Sequence, residues 1–149
     1  MHTIYLVKAK PDEFDTFWKI EQSAADSPLY SSNDEDEARE EFKTCEVYFI
    51  HKDDIVVGAI WYEKKSSEHA YISGTIVLPE YQGQGIGKEA KRLLVQGPLK
   101  DMHRIDATVH PHNSANIRIY LSLGFIIESW IDDCYGDGEP RLVLVKLNK

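Results

Sequence analysis

An α+β fold is predicted, one domain in which a mixed β-sheet of about seven strands carries about four helices, and three observations support it. Runs rich in β-branched and aromatic residues, at 46–51, 55–62 and 70–78, alternate with polar turns. Residues 86–96 repeat Ile86, Ala90, Leu93 and Leu94 at helical spacing and stop at Gly97-Pro98. The chain has 149 residues, the length of one ordinary domain.

In chain order, residues 4–8 read as the first strand. Pro11, Asp12 and Glu13 then open a helix whose Phe14, Phe17 and Trp18 form an aromatic stripe suited to a core. After the break at Ser27-Pro28, an acidic run from Asp34 to Glu41 follows candidate caps at Ser32 and Asn33. It reads as a second helix packed lightly through Ala38 and Phe42, whose acidic face is either simply solvated or a polyamine-binding patch. The three β-rich runs come next and suggest an antiparallel meander, with turns at Asp53-Asp54 and residues 64–68.

The helix at 86–96 is followed by a strand at 105–110. Asn113 or Ser114 caps a further helix, on which Ala115, Ile119 and Leu123 share a face until Gly124. Residues 125–133 and 141–147 close the chain as a hairpin around Tyr135-Gly136-Asp137-Gly138. The resulting order is β-α-α-β-β-β-α-β-α-β-β, without repeats or linkers.

Composition excludes several classes. At 42% hydrophobic and 28% charged residues the chain is globular, and its net charge of -8 argues against nucleic acid, which is held mainly by clustered Lys and Arg. No run approaches the ~18 apolar residues of a membrane span. The N-terminus lacks the basic start and apolar stretch of a secretory signal, so a cytoplasmic location is expected. Cys45 and Cys134 read as free thiols. His110 and His112 flank Pro111 but lack a further ligand, so no metal is expected.

Function enters at residues 76–88, which join a strand to the strongest helix. Glycines let backbone approach a ligand closely, and the unpaired N–H groups of a helix's first turn converge on an anion. The dinucleotide pattern GxGxxG, counted from Gly83 and Gly85, would need glycine where Lys88 stands. The P-loop pattern would need glycine at Gln82 and a hydroxyl at Glu89. Neither fits, and the choice left is another phosphate-bearing ligand or a tight structural turn.

Gln82, Gly85 and Gly87 match the Q/R-x-x-G-x-G/A turn, and the segment resembles that of the GCN5-related N-acetyltransferase (GNAT) family. A second match follows in the family's order, Asn113-x-x-Asn116-x-x-x-Tyr120-x-x-x-Gly124-Phe125. The resemblance covers about residues 55–147. It implies a splayed sheet in which two strands part around the pantetheine arm of acetyl-CoA. Backbone at Val77 and Leu78 would pair with that arm, and Gln82, Gly83, Gln84, Gly85, Ile86, Gly87 and Lys88 would hold the pyrophosphate. Asn113 would lie along the cofactor, or cap its helix, or do both; Asn116 stands where the family usually has a small residue.

The resemblance also puts Tyr120 beside the sulfur as general acid. A backbone N–H near Val77 would polarise the carbonyl. Where several relatives carry a glutamate, this chain has Ser73, which leaves Glu63, His69, Glu80 or a chain of waters as candidate bases. The expected activity is acetyl transfer from acetyl-CoA to a primary amine of a small molecule or peptide, by direct attack in a ternary complex. A non-catalytic acyl-CoA-binding sensor or interaction module and a protein N-terminal acetyltransferase remain open alternatives. A homodimer is admitted as the assembly. Acceptor specificity is assigned to Ser27 to Tyr30, to Trp61 and Tyr62, and to Asp132 to Tyr135, where the Asp132-Asp133 pair would attract a cationic acceptor.

Overall fold

A computed structural model describes residues 2–27 and 33–148. The order of elements is the expected one: β1 (Ile4–Lys8), α1 (Phe14–Gln22), α2 (Glu35–Thr44), β2 (Glu46–Lys52), β3 (Ile55–Lys64), β4 (His69–Val77), α3 (Ile86–Gln96), β5 (Arg104–Val109), α4 (Ser114–Ser122), β6 (Ile126–Ile131) and β7 (Arg141–Leu147). A short 3-10 turn, Pro79–Tyr81, precedes α3. Pro28, Ser32 and the acceptor segment at 28–30 lie outside the described residues.

The strands form one seven-stranded sheet in the order β1-β2-β3-β4-β5-β7-β6. Only β4 and β5 are parallel neighbours, and their pairing stops early: His69 to Ile72 face Arg104 to Ala107, and nothing beyond is paired. From Gly74 onward β4 keeps its pairing with β3, while Thr108 and Val109 keep theirs with β7. The sheet therefore forks. A register shift marks the place, because Trp61 pairs with Gly74 and Tyr62 with Ile72, leaving Ser73 as the extra residue of a bulge. Bulges bend a strand and increase its twist, which turns the end of β4 away from β5. The hydroxyls of Tyr71, Thr108 and Tyr135 are hydrogen-bonded together at the same level, Tyr71 to Thr108 at 2.8 Å.

Two cores lie on the two faces of the sheet. One packs α3 and the Tyr120–Phe125 corner through Ala90, Leu94, Ile105 and Leu144. The other packs α1 and α2 through Phe17, Ala38, Phe49 and Trp61. Alternation along β3 sends adjacent Trp61 and Tyr62 to opposite cores. Truncation of a side chain as enclosed as Leu94 to alanine costs about 2–5 kcal/mol.

Helix α2 is better anchored than its sparse apolar face suggests. Phe42 meets Phe17 at 5.3 Å and Phe14 at 5.8 Å between ring centroids, and Ala38 is fully buried. Its cap is Asp34, in a reciprocal capping box with Glu37. The expected cap at Asn33 is corrected accordingly: its side chain reaches instead to Glu21 and Glu41, because Asp34 already satisfies the first turn.

Candidate functional site

The turn between β4 and α3 has the geometry of an anion cradle. Gly83 and Gly85 adopt φ of 80° and 78°, a left-handed conformation that side chains disfavour, and an added Cβ at either would meet nothing within 4 Å. Gly85 begins α3 with no side-chain cap. Among the described residues, no backbone or side-chain acceptor takes the N–H groups of residues 83–88. Ile86 is buried and fixes the helix start in the core, while Gln82, Gln84 and Lys88 face solvent.

Two residues of the cradle have further work. Gln82 Nε2 donates to the Val77 carbonyl at 2.9 Å, tying the turn to the strand end. Gln84 Oε1 accepts from Lys52 Nζ at 2.7 Å, which brings to the turn a cation that the motif does not contain.

Backbone partners along β4 can be sorted by direction. The Leu78 N–H donates to the Val57 carbonyl at 2.8 Å, and the Leu78 carbonyl accepts from the Tyr81 N–H at 2.9 Å. Both of its groups are spent, so the expectation that Leu78 pairs with a ligand is corrected. Peptide groups alternate sides along an antiparallel ladder, so Val77 and Thr75 present theirs to the open side of the fork, where the Val77 carbonyl already accepts from Gln82 and its N–H does not donate to β3.

On the α1–α2 face the fork opens into a cleft of about 500 Å³. Tyr120 reaches it from α4, almost wholly buried, with its ring edge-on to Phe125 at 4.9 Å. Asn113 lines it too and caps α4 through a 3.2 Å bond from the Asn116 N–H. His110 stands beside them; its Nδ1 accepts from the His112 N–H, and its Nε2 is buried without a hydrogen bond.

The wall opposite Tyr120 is acidic. Glu21 from α1, Glu37, Glu40 and Glu41 from α2 and Glu63 from β3 all line the cleft. Among the described lining residues Arg141 is the sole Lys or Arg, and it is held by Asp137 at 3.0 Å. Asn33 Nδ2 bridges Glu21 and Glu41 at 3.3 and 3.1 Å. Burial first, then the nearby Glu41 charge, pushes the Glu21 carboxyl up to about 8; burial also raises Glu41. One wall atom, Glu21 Oε2, is buried with no partner. The Trp61 indole N–H lies beside Glu41 and favours its ionised form, though without a hydrogen bond of good geometry.

Of the three candidate bases, Glu63 lines the cleft, with Lys65 at 3.2 Å. His69 is paired with Asp106 at 2.9 Å at the closed end of the fork, and Glu80 sits on the 3-10 turn. The hairpin contributes Tyr135 to the cleft, but Asp132 accepts from Trp130 Nε1 and Asp133 from the Gly138 N–H, so that pair serves its own turn. Ser73 stands in the cleft with its hydroxyl 3.7 Å from the Cys45 thiol. Among the described residues, no group of three or more His, Cys, Asp or Glu is placed to hold a metal ion. No described helix is long and apolar enough to cross a membrane.

Sequence reasoning did not bring Glu21, Glu41 or His110 into the cleft. The acidic run announced a helix but not which of its carboxylates turn inward.

Comparison with known proteins agrees with this geometry. The chain is 31% identical over 91 residues to the uncharacterized N-acetyltransferase YnaD of Bacillus subtilis (strain 168), a match that spans 60% of this chain and 54%, about half, of that protein. The fold is shared with the ribosomal-protein-S18-alanine N-acetyltransferase of Escherichia coli, at a TM-score of 0.79 and 20% identity over 99% of this chain and 94% of that one. It is shared as well with yncA of Salmonella typhimurium, solved with its cofactor acetyl-CoA, at a TM-score of 0.75 and 16% identity over 97% and 94% of the two chains. The profile of the acetyltransferase (GNAT) family matches residues 13–125, and with a forked sheet and an open glycine turn at the fork's mouth, the chain belongs to that family.

Proposed function

We propose that this chain is an acetyl-CoA-dependent N-acetyltransferase that acts on a primary amine of a small molecule or peptide in a ternary complex. The observation that supports it is the fork between β4 and β5, with unpaired N–H groups on one side and an acid-walled cleft holding Tyr120 on the other.

The residues present fit the cofactor. The N–H groups of residues 83–88 and the positive end of α3 hold the diphosphate. The open edge of β4 at Thr75 and Val77 bonds the amides of the pantetheine arm, and Asn113 lies along it while capping α4. Acetyl-CoA supplies the activated acyl group as a thioester.

Tyr120 then acts as general acid, its phenol giving a proton to the departing sulfur. A backbone N–H on the open edge of β4 polarises the carbonyl as charge develops. The acidic wall draws the acceptor in as an ammonium and orients it. Glu63, the candidate base that lines the cleft, or water there takes the proton that the nitrogen must lose before attack. The same proposal extends to a cytoplasmic enzyme of one domain over residues 1–149, with a homodimer as the assembly to be tested by sedimentation.

The test is CoA release followed over a panel of monoamines, diamines and peptide N-termini. Saturable turnover with a cationic amine is expected. Calorimetric binding of acetyl-CoA with no turnover on any amine would replace the enzyme with a cofactor-binding module, for which Ser73 in place of a glutamate is the supporting residue.

A further inference from the structure

Lys91 lies on the inward face of α3, among Ile86, Ala90, Leu94 and Val95, and is 4% exposed. That face ordinarily takes aliphatic residues, because an ammonium taken out of water needs a counter-charge. The described residues offer none. The Tyr120 ring faces Lys91 from α4, its centroid 5.4 Å from Nζ. Val77 faces it from β4 and Gly87 along its own helix: a Cβ on Gly87 would stand 3.9 Å from Nζ and 3.8 Å from Val77 Cγ2. Among the described residues no carboxylate pairs with it, and burial alone pushes its ammonium down to about 8. The cation–π contact recovers part of the lost hydration and does not neutralise the charge.

The position of that charge is informative. Side chains tilt toward the start of a helix, so Lys91 reaches back over one turn to Gly87, a residue of the open cradle. It also spans from α3 to α4, the two elements that flank the fork on this face.

We propose that Lys91 is a binding residue for the cofactor's diphosphate: its ammonium, held beside Gly87, meets there the anion that the fold does not supply. The inference rests on the acetyl-CoA reading above. It makes Lys91 a charge stored in the ligand-free protein and neutralised on binding.

Calorimetry with CoA, dephospho-CoA and pantetheine tests it on wild type and Lys91→Met, a variant of similar length without the charge. Affinity for CoA and for dephospho-CoA, which keeps the diphosphate, should both fall roughly 10–100-fold, the scale of one charge-assisted contact. Affinity for pantetheine, the arm without phosphate, should not change, and the ligand-free variant should melt no lower than wild type. Unchanged CoA affinity, an equal loss for pantetheine, or a loss for CoA but not dephospho-CoA would each overturn the assignment. Should Lys91→Met fail to fold, wild type decides alone: at pH 8.5, titrations in buffers of different ionisation heat should show proton uptake with CoA and none with pantetheine. Absence of uptake with CoA would overturn it. Wild type that binds no CoA at all removes the cofactor reading and this inference with it, whereas binding that ignores Lys91 removes the inference alone.

Discussion

The two faces of the forked sheet build their halves of the site from different materials. On the α3–α4 face the cradle is backbone: N–H groups at a helix start, opened by Gly83 and Gly85 and fixed in register by buried Ile86. On the α1–α2 face the cleft is side chain, with carboxylates delivered by α1, α2 and β3 and a phenol by α4. A backbone cradle recognises what every acyl-CoA shares. A side-chain wall can be rewritten one residue at a time, so on the function proposed above the difference would separate a fixed donor from an adjustable acceptor, and each half should fail in its own way.

The largest effect should come where the halves meet. Tyr120→Phe keeps the packing on Phe125 and removes one oxygen, and kcat should fall by about 10²–10⁴ while acetyl-CoA affinity stays near wild type. Turnover at the wild-type rate would make Tyr120 a core residue. Gly85→Glu tests the cradle alone: a carboxylate placed in the anion site, at a φ that glycine tolerates best, should weaken acetyl-CoA binding at least ~100-fold by calorimetry while the protein stays folded. Undiminished affinity would leave the turn a purely structural one.

The wall is tested by Glu21→Gln combined with Glu41→Gln, assayed near pH 9, above the value of about 8 at which Glu21 gains its charge. The acceptor KM should rise about tenfold for a cationic amine and its salt dependence should soften, with acetyl-CoA affinity unmoved. A KM that ignores the change would break the division between the two faces, because the wall would then be mere surface.

The smallest effect is on stability. Glu21, at about 8 in the folded chain against an ordinary 4.5, keeps its proton where the unfolded chain has lost it. The folded state therefore binds more protons between these values, and stability falls as pH rises from about 4.5 to about 8. Glu21→Gln should flatten that slope and raise the melting temperature at pH 8 by roughly 2–6 °C, as about 1–2 kcal/mol does in a chain of this size. A melting curve equally steep in pH for both proteins would show that Glu21 ionises freely.

The backbone half was legible in the sequence, whereas of the side-chain half Tyr120 and Glu63 were named and the meeting of Glu21 with Glu41 was not, for a physical reason. A cradle needs consecutive residues of fixed conformation, so Gly83, Gly85 and the helix from Ile86 can be read along the chain, as can the Asn113 cap. The wall needs residues far apart in sequence to meet in space. Periodicity could announce α2 but not that Glu41 would turn inward against Glu21, nor that Phe42 would wedge between aromatic rings of α1. Leu78 was misassigned because direction along a strand depends on register, and the bulge at Ser73 that sets this register has no sequence signature. Asp132 and Asp133 were adjacent and acidic, yet a turn needed both.

That bulge also separates two kinds of inherited change. Position 73 lies in the cleft, where a replacement alters chemistry and leaves the ladder as it is, so Ser73 can be exchanged for a carboxylate at small cost to the fold. Removal of the residue is another matter. The ladder would become regular, with Ile72 and Gly74 consecutive and every later side chain keeping its face, and β4 would lose the bend that carries it away from β5. A lineage that keeps the fork can therefore explore the letter at this position but not its length, and a library that randomises residue 73 should return proteins that bind acetyl-CoA where a one-codon deletion returns a folded sheet with the fork closed.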